Sequence, residues 1–193
     1  MGTRNLTVVI HNDEIKMAQY GQWDGYPSGV GKDIAKVMPQ ASVKKWRKVI
    51  SNCKFLTAAE VKAHWKAAGD NSDLATEILS RDNSGGKALE LILVNNGAEL
   101  FNQIKFAADS LFCEWAYVID FDKQNVEVYK GFNQIPLTKA DRFFFLQQSI
   151  KPAENVYFPV KLYKTYKIKS FTTRAMTALE KRANKEAEEI ATK

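Results

Sequence analysis

Two apolar stretches, 5–10 and 15–19, flank the polar run His11-Asn12-Asp13-Glu14, which predicts a β-hairpin at the start of the chain. Further on, Ile34, Val37 and Met38 space a short helix that begins at 31 or 32 and stops at Pro39. Two amphipathic helices follow, 42–52 with Val43, Trp46 and Ile50 on one face, and 57–68 with Val61, Trp65 and Ala68 on one face. Thr57 and Glu60 form the capping box of the second. A helix is expected over 73–80, a loop over 81–86, and the all-round apolar run 87–94 is assigned to a buried helix rather than a strand.

Alternation from 111 to 121 places Leu111, Cys113, Trp115, Tyr117, Ile119 and Phe121 on one face of a strand, with Glu114, Asp120 and Asp122 opposite. Residues 122–125 turn that strand into a second one at 126–130, completing another hairpin. A helix over 139–149 and a long basic strand over 156–168, broken at Pro159, come next. Thr172 or Thr173 then caps a last helix, about 172–192, whose stripe is Met176, Leu179, Ala183, Ala187 and Ile190. This order lacks regular βαβ alternation. It predicts an α+β fold: a mostly antiparallel sheet with an N-terminal β-hairpin, central helices and a C-terminal helix. No repeat or low-complexity linker divides residues 1–193, so one domain is expected.

One segment departs from ordinary core and surface. Residues 19–33 read Gln-Tyr-Gly-Gln-Trp-Asp-Gly-Tyr-Pro-Ser-Gly-Val-Gly-Lys-Asp, a loop of four glycines and a proline joining a strand to a helix start. Ser28, Gly29, Gly31 and Lys32 form a candidate anion cradle at that helix start. Tyr20, Trp23 and Tyr26 offer stacking faces for a base, and Gln19, Gln22 and Asp24 offer polar edges to read it. Arg4, entering the first strand, is a candidate cation for phosphate or carboxylate, or a partner for Asp24. A Walker A reading fails, because Tyr26 stands where its first glycine is required and Asp33 where Ser or Thr follows the lysine.

Charge adds a second candidate surface. The 193-residue chain carries a formal net charge of +6, and 161–174 is basic without one acidic residue. Lys161, Lys164, Lys167 and Lys169 are candidates for docking an acidic protein. Lys44, Lys45, Arg47 and Lys48 surround Trp46 in a smaller basic group. A net charge of this size is modest for a dedicated nucleic-acid binder, so nucleic acid is not an expected partner. The stripe of the last helix leaves a second copy of the chain as a candidate partner.

Cys53, Cys113, His11 and His64 are isolated in sequence, so neither a metal nor a cofactor is expected. Asp120 and Asp122 share a strand face and lead into a turn, where turn chemistry accounts for them. No apolar run approaches the roughly 20 residues of a membrane span, and the charged start lacks a secretory apolar stretch; a cytoplasmic location follows as an expectation. Leu6 stands where a myristoylation motif needs Ser or Thr.

The opening Met1-Gly-Thr-Arg-Asn-Leu-Thr7, the stretch from Gln19 to Gly31, Cys113-Glu-Trp-Ala-Tyr-Val-Ile-Asp-Phe-Asp122 and Val126-Glu-Val-Tyr-Lys-Gly131 together resemble a family of uncharacterised proteins of bacteria, phages and fungi. That resemblance brings no established activity, and its occurrence in phages implies a role in phage–host conflict. A weaker architectural similarity, a strand entering a sheet and followed by a Gly-rich turn, points to N-terminal-nucleophile amidohydrolases. These need Cys, Ser or Thr at the mature N-terminus, whereas removal of Met1 here exposes Gly2, and Thr3 requires further trimming. The leading expectation is a protein that holds a nucleotide-like or phosphorylated small molecule without catalysis, such as an immune signal sequestered in counter-defence. The alternative is an inhibitor of a host protein, and an amidohydrolase-like enzyme stands third.

Overall fold

The computed structural model of the chain describes residues 2–68, 82–148 and 157–192. The first hairpin pairs β1 (Asn5–His11) with β2 (Glu14–Gly21), from Asn5 opposite Gly21 to His11 opposite Glu14. Its turn, Asn12 and Asp13, is left-handed at both residues, with φ of 55° and 56°. That geometry follows the twist of the strands, and short polar side chains tolerate it better than other non-glycine residues.

A second hairpin pairs β5 (Trp115–Asp120) with β6 (Asn125–Lys130), and β7 (Lys161–Lys167) adds antiparallel to β6. Because β5 lies parallel to β1, the sheet runs β2-β1-β5-β6-β7 with one parallel pair among antiparallel ones, an α+β arrangement. Between the hairpins the chain forms α1 (Lys32–Val37), α2 (Val43–Ser51), α3 (Ala58–Ala68) and α4 (Gly85–Val94). It also forms two short parallel strands, β3 (Lys54–Phe55) and β4 (Glu99–Leu100). α5 (Phe144–Gln147) precedes β7, and α6 (Thr173–Ala191) follows it.

Local chemistry accounts for the helix starts. Ser42 caps α2 by accepting from the Lys45 N–H, Thr172 caps α6 through Ala175, and Thr57 and Glu60 bond reciprocally at the start of α3. Cap and apolar spacing agree there, so these three helices begin where the sequence predicts.

Both faces of the sheet are covered. Val9, Met17, Tyr117, Ile119, Val126 and Val128 pack with Ile34, Trp46, Ile50, Leu89, Met176 and Leu179 of the helical layer. On the other face Leu6, Val8, Ala116, Val118 and Tyr129 meet Ala107, Leu137, Phe143, Leu146 and Val160. This double covering corrects the alternation expected for β5: every one of its positions is buried, and Asp120 is only 2% exposed. The strand also begins at Trp115, with Leu111 and Phe112 exposed in a preceding turn.

Other boundaries differ as well. Within the described part of the expected 139–149 helix, only Phe144–Gln147 is α-helical, preceded by a turn in which Asp141 accepts from both the N–H and the hydroxyl of Thr138. The basic strand starts at Lys161, and Ala187 is exposed, so the α6 stripe is buried from Met176 to Ala183. The expected helix over 73–80, residue 156, residue 149 and the side chains of Ala68 and Ile190 lie outside the described residues. Among the described residues no helix is long and apolar enough to cross a membrane.

Candidate functional site

The segment 19–33 divides into three parts. Gln19, Tyr20 and Gly21 belong to β2, Gln22 to Tyr26 make the connecting loop, and Pro27–Gly31 form a helical turn that runs into α1. Gln19 is buried at 1% exposure; the Tyr20 ring stands edge-on to Phe106 at 4.8 Å, its N–H donates to Gln103 Oε1, and its hydroxyl donates to Gln22. Trp23 is half exposed, and its indole N–H donates to Asp82 Oδ1 at 3.0 Å. The Tyr26 hydroxyl donates to Asp24 Oδ1, and that bond together with the carboxylate's charge raises its pKa.

The helical turn carries its own anion. The Ser28 N–H donates at 2.6 Å to Oε2 of Glu180, which reaches over from α6, while the N–H groups of Gly29 and Val30 donate to the carbonyls of Tyr26 and Asp24. A carboxylate therefore sits where a phosphate oxygen would be received. Gly29 is there for close approach, since a Cβ would lie 2.2 Å from the Asp24 carbonyl oxygen. From below, the Tyr117 hydroxyl donates to the Gly25 carbonyl at 2.8 Å. Burial holds the pKa of that phenol well above its usual value, Glu180 adds to the effect, and the Gly31 N–H works against it.

Arg4 does not bond Asp24; its guanidinium lies over the Phe112 ring at 4.8 Å, and its backbone N–H donates to Glu114 Oε1. Lys32 is half-buried at the start of α1, where the next acidic residue, Asp33, pairs with Lys36 at 2.9 Å.

Asp120 and Asp122 both act at the hairpin turns. Asp120 Oδ1 accepts from the N–H groups of Asp122 and Lys123; Asp122 accepts from His11 Nδ1 and from the N–H groups of Asn12 and Asp13, tying the two turns together. On the same edge Arg142 grips Glu127 with Nε and Nη2 at 2.7 and 2.8 Å and reaches Asp120 Oδ2 at 2.9 Å, while the Tyr129 hydroxyl donates to Glu127 Oε2. Burial pushes the Glu127 carboxyl up, and the bonds from Arg142 and Tyr129 outweigh it, leaving the pKa below its usual value.

A groove of about 930 Å³ opens at the other end of α1. Its floor is apolar, from Ala35, Met38, Val43, Ile168 and Phe171, and Lys123, Lys167 and Lys169 stand around it. α2 and α6 begin at its rim, bringing two positive helix ends to the same space. No acidic side chain is among its lining residues. Lys167 and Lys169 were legible as part of a basic run, whereas Lys123 reads in sequence as a turn residue and Phe171 as an ordinary core ring. The groove joins segments more than 100 residues apart, which no local pattern signals.

Among the described residues no three of His, Cys, Asp and Glu converge as a metal site. Cys53 and Cys113 are buried free thiols, and burial pushes Cys53 up to about 11. Compared with known protein families, curated proteins and solved structures, the chain matches none.

Proposed function

We propose that this protein binds a phosphorylated, nucleotide-like small molecule in the groove between α2 and the start of α6, and holds it without turnover. The observation that supports this reading is the convergence of Lys123, Lys167 and Lys169 on an apolar floor whose lining includes no carboxylate. The lysines and the two helix starts match phosphate charge, and the apolar floor, with Val43 and Ile168 partly exposed in it, matches the apolar part of a base or sugar. Its size lies in the range, roughly 300–1,000 Å³, of pockets that enclose small ligands. The hydroxyls nearby, Ser42 and Thr172, already accept backbone N–H groups as caps, and no His, Asp or Glu lines the groove to serve as a base. In the phage setting that the sequence resemblance implies, the corresponding role is withdrawal of a nucleotide signal from circulation.

Calorimetric titration with ATP, cyclic AMP and inorganic pyrophosphate tests the reading. Saturable binding of at least one probe is expected, weakened about tenfold by Lys123→Ala and by Lys169→Ala and unchanged by Trp23→Ala or Lys32→Ala. Loss confined to the latter pair would move the site to the 22–32 loop, and absence of binding by every probe would overturn the reading.

A further inference from the structure

At the edge of the sheet, β7 pairs with β6 on one side, and among the described residues no strand or loop pairs with its other side. In an antiparallel strand alternate residues turn their N–H and C=O groups away from the existing partner, so the outer side of β7 is a row of open hydrogen-bonding positions. Natural sheets protect such an edge with lysines and bulges, and β7 has both: Lys161, Lys164 and Lys167 are exposed, and the register shifts opposite Val128 and Tyr129. Protection is incomplete, however. Leu162 in the strand is 45% exposed, and beside it Phe132 and Ile135 are 53% and 60% exposed, lining with Lys130 and Lys161 a recess of about 380 Å³. The recess lies where 131–135 continue from β6, beside the first residues of the open strand, and apolar surface next to an open edge is the arrangement that receives a strand.

The charges choose the occupant. A second copy adding through the same edge in antiparallel fashion would centre Lys164 on Lys164 and set Lys161 opposite Lys167, stacking like charges along the seam. A polyanion lacking peptide groups would leave the edge hydrogen bonds unmade. We infer that β7 is the docking edge for an extended, acidic segment of a partner protein, which adds as a sixth strand and seats an apolar side chain in the Phe132–Ile135–Leu162 recess. The carboxylates of that segment meet Lys161 and Lys164, and the main chain supplies the register. This surface is separate from the groove, which it shares only at Lys167.

The test uses the full chain and a fluorescein-labelled nonapeptide of alternating Glu and Val, read by anisotropy. Saturable binding is expected, weakened about tenfold by the pair Lys161→Glu and Lys164→Glu and by Leu162→Asp. Two further peptides, N-methylated at alternate residues in the two opposite phases, report the hydrogen bonds without altering the protein: one phase should abolish binding and the other preserve it. Equal binding by both methylated peptides, indifference to the charge reversal in a variant that keeps its unfolding midpoint, no binding of the parent peptide, or self-association of the chain through β7 would each overturn the inference.

Discussion

At the residue scale, two carboxylates define what the protein's polar interior is for. Glu180 occupies the position at Ser28 that an external anion would take, so its removal leaves the Ser28 N–H without its partner. Glu180→Ala is expected to lower stability by about 2 kcal/mol in urea unfolding, the range of a hydrogen bond to a charged group, and Glu180→Gln by less because an oxygen acceptor persists. Glu127 is the second case. Its folded pKa is depressed, so its contribution is fully present above its ordinary value and is lost as the pH falls through the lower, folded one. Arg142→Ala takes the cation from Glu127 and the buried Asp120 and is expected to cost about 3 kcal/mol at neutral pH. With the cation gone, burial is opposed by Tyr129 and Lys123 without Arg142, so the carboxyl pKa rises relative to the parent's and its acid-linked loss shrinks. The variant should lose less stability on acidification than the parent; parallel acid limbs in the two proteins would contradict this account of the network.

Elements were legible wherever local chemistry and the apolar period agree. The first hairpin follows from Asn12 and Asp13, the two residues that accept left-handed backbone between alternating strands, and Asn12→Ala is expected to cost about 1 kcal/mol while Asp13→Gly does not destabilise. Thermal unfolding checks both. The capping box at Thr57 and the cap at Thr172 are equally local signals, and the helices begin there. β5 was read correctly as a strand and incorrectly as amphipathic. Its second face is covered by Leu137, Phe143 and Leu146, which lie more than 15 residues further along, and Asp120 is tolerated inside because Arg142 and the N–H groups of Asp122 and Lys123 meet its two oxygens. The stretch 139–149 failed for a related reason: Phe143, Phe144 and Leu146 are apolar because they cover the sheet, and Asp141 bonds the Thr138 backbone in a turn instead of opening a long helix.

On the scale of the whole molecule, α1 links two features of opposite sign. Its N-terminal end is approached by the 22–31 connection, closed from beneath by Tyr117 and from α6 by Glu180; its C-terminal end borders the lysine-ringed groove. The sequence singled out the first by composition, since clustered Gly, Trp and Tyr are visible without a structure. Its internal partners were invisible, because Glu180 lies 152 residues from Ser28 and looks like one more charge on a helix. The second has no compositional signal beyond the basic run that holds Lys167 and Lys169, being assembled from a hairpin turn, the end of an edge strand and two helix starts. The most direct measurement of the central claim is amide chemical-shift mapping of the ¹⁵N-labelled chain titrated in turn with ATP, cyclic AMP and inorganic pyrophosphate. The account predicts shifts concentrated at Ser42, Val43, Lys123, Gln124 and Lys167 to Thr173, with Gln22 to Lys32 unmoved; shifts confined to Gln22 to Lys32, or none with any of the three probes, would contradict it.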